Sequence, residues 1–205
     1  MLLVIDSATA ACSAALVEGE VLMDERHQVV GRGHAEKLVP MIEELLAGRR
    51  PDAILVDCGP GSFTGVRVGL AAAHGLAIGW GVPLHGYSSM AAVAAAVGEG
   101  EGGGGSELVV ALHGGHGQLF VQSFRHDPFG PTDQLQSLPP EEAAALLHRH
   151  LVVGSGAEAL VNARGFGQAV DALPRAGDAR LLPQELCSLA PRPIYGRAPD
   201  AKPMP

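Results

Sequence analysis

The chain has 205 residues, with 14 Lys and Arg against 22 Asp and Glu, a formal net charge of −8. Hydrophobic residues make up 47% and charged residues 18%, which excludes wholesale disorder and allows a real core. Aromatic residues are only 4%, so Ala, Val and Leu must fill that core, and an acidic, ring-poor surface argues against nucleic-acid binding by the chain alone. An RNA substrate would need a partner to supply the basic groove.

Cys12, Cys58 and Cys187 lie far apart with no C-x-x-C pair. They read as reduced, mostly buried thiols rather than a disulfide framework or a zinc knuckle. The opening Met1-Leu2-Leu3-Val4-Ile5-Asp6 lacks a basic region and is broken by Asp6, unlike a signal peptide. The stretch 69–82 contains His74 and is too short to span a bilayer. A soluble, cytoplasmic protein with no membrane partner is expected.

In chain order, residues 2–5 read as a buried strand, and 11–17 and 20–27 as the next two, joined by a turn at Glu18-Gly19. Residues 34–47 carry Leu38, Met41, Ile42, Leu45 and Leu46 at helical spacing, with Pro40 either kinking the helix or opening its regular part. Residues 53–58 form a continuous apolar strand suited to a sheet centre. A glycine-rich turn at 59–64 leads into a helix through about Trp80, then a strand at 82–85, and a helix to Val97 capped by Ser88. The first half therefore reads βββαβαβα. The Gly-rich run 99–106 is taken as a loop between lobes. A smaller α/β region follows, with strands at 107–112, 119–125 and 151–153 and a helix at 140–150. The domain expectation is a first lobe at 1–98, a second at 107–190 and a tail at 191–205. No internal repeat stands out.

The loop Gly59-Pro60-Gly61-Ser62-Phe63-Thr64-Gly65 joins a buried strand to a helix. Its backbone N–H groups suit either a phosphate cradle or a plain turn capped by Ser62 or Thr64. It lacks the Gly-Lys-Ser/Thr of a Walker loop. Asp6-Ser7-Ala8-Thr9 ends the first strand and reads either as an Asx-type turn or as the phosphate-touching turn of an actin/Hsp70-like lobe. The matching turn of the second half, Leu112-His113-Gly114-Gly115-His116-Gly117, has no carboxylate to position metal and water. His113 and His116 lack further ligands nearby, His148 and His150 read as surface, and Cys58 as a small hydrophobe.

In the helix after the loop, Gly65, Gly69, Ala73 and Ala77 recur every four residues, and Ala71, Gly75 and Gly79 form a second row. Each helical Gly costs about 1 kcal/mol relative to Ala, so close backbone approach must offset it. One row can pack on the sheet, while the other suits a neighbouring helix of this chain or of a second one. A leucine at Gly69 is then expected to break association and leave a folded monomer.

Taken in order, Asp6-Ser7-Ala8-Thr9, His34-Ala35-Glu36-Lys37-Leu38-Val39-Pro40, the block from Asp57 to Gly69, Tyr87-Ser88-Ser89-Met90-Ala91 and the tail Pro193-Ile194-Tyr195-Gly196-Arg197 resemble the TsaB (YeaZ) family of the bacterial tRNA threonylcarbamoyladenosine machinery. The match is dense over 1–98 and at the tail. The resemblance implies an α/β, two-lobed actin/Hsp70-like (ASKHA) fold with a reduced second lobe. It implies a non-catalytic scaffold that binds the catalytic paralogue TsaD, helps recruit the ATPase TsaE, and meets tRNAs reading ANN codons only through the complex. TsaD carries a metal-binding H-x-x-x-H, and this sequence has none. No cofactor is implied, and any nucleotide would sit at the subunit interface, held mainly by the partners. The implied interface is His34, Leu38, Met41, Ile42 and Leu45 of the first long helix with Gly65, Arg67, Gly69 and Ala73 of the second. The same face would pair two copies when the chain is alone. Asp6, Ser7, Thr9, Gly61, Ser62 and Thr64 would be vestigial phosphate-binding turns. The sequence departs from the family at His113-Gly114-Gly115-His116, where many members have an Asp-Ala-Arg-type turn. The alternatives are an ATP-dependent acyl- or phosphotransferase of the same superfamily and a glycoprotease-like peptidase.

Overall fold

The computed structural model describes residues 1–98 and 107–196. The Gly-rich run 99–106 and the tail beyond Gly196 lie outside the described residues. Strands β1 (Leu2–Asp6), β2 (Ala11–Glu18), β3 (Val21–Val29), β4 (Ala53–Asp57) and β5 (Leu84–Tyr87) form one sheet in the order β3-β2-β1-β4-β5. The meander β1-β2-β3 is antiparallel, and β1, β4 and β5 run parallel. Helices α1 (His34–Leu46) and α2 (Phe63–Trp80) cover one face, and α3 (Ser89–Ala96) lies on the other side.

The period of two in β1 sorts its side chains. Leu3 and Ile5 join Leu38, Ile42 and Leu45 of α1 and Val66 and Leu70 of α2, while Val4 joins the core around α3. Helix α1 starts at His34 and continues through Pro40, so of the two readings of that proline the one that opens the helix there does not hold. Helix α3 has no polar face: Met90, Ala91, Ala92, Val93 and Ala94 are all buried. A helix apolar all round belongs inside, and α3 packs between the two sheets.

The second sheet holds β6 (Glu107–His113), β7 (Leu119–His126), β8 (Phe129–Pro131), β10 (Leu151–Val153) and β11 (Gln168–Val170) in the order β11-β10-β6-β7-β8, with β9 (Gln136–Leu138) also on β7. Again the first strand is central, an antiparallel meander runs to one side and parallel strands to the other. The topology of the first half is thus repeated, which the sequence did not disclose. Helices α4 (Pro140–Leu146) and α5 (Ala157–Arg164) stand where α1 and α2 stand in the first half. The helix expected over 140–150 stops at Leu146.

After β11 the chain returns to the first sheet. A 3₁₀ turn at Ala176–Leu181 packs on β2 and β3. Glu25 fixes it: its carboxylate accepts from Gly177 N at 2.8 Å and pairs with Arg175, and Ser13 Oγ accepts from Ala176 N at 2.9 Å. Replacing Glu25 with alanine strands the Gly177 N–H and the Arg175 guanidinium. A loss of about 1–2 kcal/mol is expected, read as a lower urea midpoint and faster proteolysis within 171–183.

Candidate functional site

The carboxyl ends of β1, β4 and β5 bring Asp6, Asp57 and Tyr87 together under the first turn of α3. Asp6 is fully buried and Asp57 is 2% exposed. The Tyr87 hydroxyl donates to Asp6 Oδ2 at 3.1 Å. Asp57 accepts from Ser89 Oγ at 2.6 Å and from Gly59 N at 2.8 Å. Burial pushes the Asp6 carboxyl well above the usual range, and the neighbouring Asp57 charge pushes it further. Burial also raises Asp57, to about 6, against the hydrogen bonds from Ser89 and Gly59 that favour its ionised form. The pair therefore holds a proton on Asp6 beside an ionised Asp57.

The glycine loop lies directly on the turn after β1. Ser62 N donates to Ala8 O at 2.6 Å, and Ser7 Oγ donates to Gly65 O at 2.9 Å. A Cβ at Gly61 would sit 2.0 Å from Ala8 O, and one at Gly65 2.2 Å from Ser7 O. Gly65 N donates to Ser62 Oγ, so Ser62 is the N-cap of α2. Thr9 Oγ1 accepts from Ala11 N, and Thr64 is exposed. Of the six residues expected to line phosphate-binding turns, Asp6, Ser7, Gly61 and Ser62 instead seal two loops against each other. The N–H groups of Gly59, Ser62 and Gly65 are spent inside the fold, as in a capped turn.

In the second half, the matching turn contains His113 at the end of β6 and His116 in a left-handed backbone at φ 60°. Among the described residues, no group of three His, Cys, Asp or Glu is placed to hold a metal ion. Burial pushes the Cys58 thiol up to about 12, in keeping with a small hydrophobe.

Helix α2 settles which small row faces where. Gly65, Gly69, Ala73 and Ala77 are buried against the chain's own strand ends, and a Cβ added to Gly69 would lie 2.6 Å from Ser7 Oγ and 3.8 Å from Val56. Leu38, Ile42 and Leu45 are buried beneath α1, and the His34 ring is buried with Nε2 2.8 Å from Thr9 O. Seven of the nine expected interface residues are packed inside this chain, while exposed Arg67 and half-buried Met41 reach the surface. The physical reason is registry: the row sharing its face with Val66 and Leu70 is the one drawn to the sheet.

The open side of α2 is the other row. A Cβ at Gly75 or Gly79 would meet nothing within 4 Å, and Ile78 is 81% exposed. Phe63, Arg67, Ala71, Gly75 and Ile78 follow one another along this side, and Val39 stands exposed on α1. A groove of about 440 Å³ runs between the two helices, lined by Val39, Leu46, Leu76 and Trp80. The sequence signal for this side was the polar pair Arg67 and His74 flanking the row, a mark of the outward face.

Two sheets of like topology, each with helices on its outer face, define the chain as an actin/Hsp70-like α/β protein. Residues 27–136 match the family model described as TsaD: tRNA N6-adenosine threonylcarbamoyltransferase. The chain is 41% identical over 104 residues to the tRNA threonylcarbamoyladenosine biosynthesis protein TsaB of Haemophilus influenzae, covering 48% of this chain and 43% of that one. It is 31% identical over 134 residues to TsaB of Escherichia coli, covering 63% and 57%. The chain thus spans about half the length of the curated relatives it matches. The solved structure of YeaZ from Pseudomonas aeruginosa superposes with a TM-score of 0.76 at 27% identity, covering 95% of this chain and 98% of that one. The chain belongs to the TsaB/YeaZ family. Among the described residues, no helix is long and apolar enough to cross a membrane.

Proposed function

We propose that the chain is a non-catalytic scaffold subunit of the cytoplasmic complex that makes threonylcarbamoyladenosine in tRNAs reading ANN codons. It binds a TsaD-like catalytic subunit, helps recruit a TsaE-like ATPase and meets tRNA only through them. The observation that carries this reading is the bare outer row of α2. A helix with glycines at 75 and 79 and an isoleucine at 78 in open solvent has given up propensity without any return inside its own fold. A second helix packed closely on that row would supply it. The sealed strand-end turns support a scaffold over a transferase, because their carboxyls and amides are engaged with each other. Without the catalytic subunit, the same face pairs two copies.

Gly75→Leu is the direct test. It points into open space, so the variant is expected to fold with a normal melting temperature. It should lose co-purification with the catalytic subunit of its host and elute as a monomer in light scattering. Undiminished binding by a folded Gly75→Leu protein would refute docking through this row.

A further inference from the structure

The outer stripe of α2 ends in a charged cluster that its small residues do not explain. The Arg67 guanidinium carbon lies 3.5 Å from the centre of the Phe63 ring. Its Nε and Nη2 donate to Tyr195 Oη at 3.2 and 3.1 Å. The rings of Phe63 and Tyr195 stack at 5.7 Å with 30° between their planes. Tyr195 comes from the opposite end of the chain, and its segment is anchored before it arrives. Leu189 and Gly86 exchange backbone hydrogen bonds, and Ile194 N donates to Cys58 O at 2.8 Å.

Phe63 and Tyr195 remain 57% and 47% exposed, so the unit faces solvent. Among the described residues, Arg67 takes part in no ion pair, as is also true of Arg32, Arg49, Arg50, Arg125, Arg164 and Arg192, but Arg67 is the one held between two exposed aromatic rings. An unpaired cation on a chain of net charge −8 is complementary to an anion from elsewhere. The stack already restricts the rotamers of Arg67, which lowers the entropy lost when it is engaged. Tyr and Arg beside an apolar ring are also the residue types that dominate binding energy at interfaces.

We propose that Phe63 and Tyr195 hold Arg67 as a preset clamp for a carboxylate on the partner subunit, at the N-terminal end of the α2 docking stripe. The inference rests on the docking reading above and adds the chemistry of the partner: an acidic side chain one to two turns from its own small-residue contact. A protein carboxylate fits better than a nucleic-acid backbone, because a run of phosphates calls for several cations and helix α2 itself carries one arginine.

The test is calorimetric titration of the full chain into the catalytic subunit of the same organism, at low and high salt. Arg67→Ala is expected to weaken binding about 10- to 100-fold and to flatten its salt dependence. Tyr195→Phe keeps the stack but removes the hydroxyl, and should weaken binding about three- to tenfold. Added to Arg67→Ala it should have no further effect, since its role runs through the arginine. All three side chains are exposed, so thermal melts should match the parent. If the parent binds and Gly75→Leu does not, but the Arg67 and Tyr195 variants bind as the parent does, docking stands and the clamp is overturned. If the two effects add independently, Tyr195 is no positioning residue and the clamp as stated fails. If the parent itself does not bind, both readings fall.

Discussion

Gly65→Ala is expected to destabilise the protein by about 3 kcal/mol or to prevent folding altogether. A methyl there would lie 2.2 Å from the carbonyl oxygen of Ser7, a backbone atom fixed by the β1–β2 connection. No rotamer relieves a clash between a Cβ and a main-chain oxygen. The loop must move instead, taking the Ser62–Ala8 and Ser7–Gly65 hydrogen bonds with it. Gly61→Ala should behave alike. Gly69→Leu belongs in the same class and not among interface variants, since its side chain would enter the space of Ser7 and Val56. A soluble Gly69→Leu monomer with parental stability would contradict this account. Against Gly75→Leu, six residues further along the same helix, the contrast is direct: one variant loses the fold and the other only the partner.

The second large effect concerns pH. Asp6 and Asp57 share a buried site, and both are held above the ordinary carboxylate range by burial. The groups facing them are Tyr87, Ser89 and the thiols Cys12 and Cys58, all neutral there; burial raises both thiols, Cys12 to about 11. The folded state therefore keeps protons that the unfolded chain releases near pH 4. Stability is fully present below that value and is lost as pH rises from about 4 through the folded values, the lower of them about 6. The expected fall over this window is on the order of 3 kcal/mol, read as a melting temperature that drops between pH 4.5 and pH 8. Asp6→Asn keeps an acceptor for Tyr87 and a donor toward Asp57 without titrating, so its melting curve should be flatter over the same range. Asp6→Ala leaves the Tyr87 hydroxyl buried without its acceptor and should cost about 2–3 kcal/mol. A parental melting temperature that rises between pH 5 and pH 8 would overturn the assignment.

Much of the first half was legible because its signals are local. The apolar run of β1, the heptad-like run of Leu38, Ile42 and Leu45, and the Ser62 and Ser88 caps each specify an element within a few residues. The second half was less so. Strands β8, β9 and β11 are three residues each, too short for a period to emerge. Helix α5 has neither a capping side chain nor a strong apolar stripe. Both rows of α2 consist of small side chains, so periodicity finds the rows without saying which one the sheet takes. The clamp was beyond reach, because Arg67 and Tyr195 lie 128 residues apart and meet only after the chain has crossed to the second sheet and returned.

The repeated strand order of the two halves has a further consequence through the unequal helices laid over it. Helices α1 and α2 span 13 and 18 residues, whereas α4 and α5 span 7 and 8. The duplicated half thus offers no second long helix in the equivalent place. Docking through α2, as proposed above, is then available once per molecule, so that contact by itself joins a pair and does not propagate into an open filament.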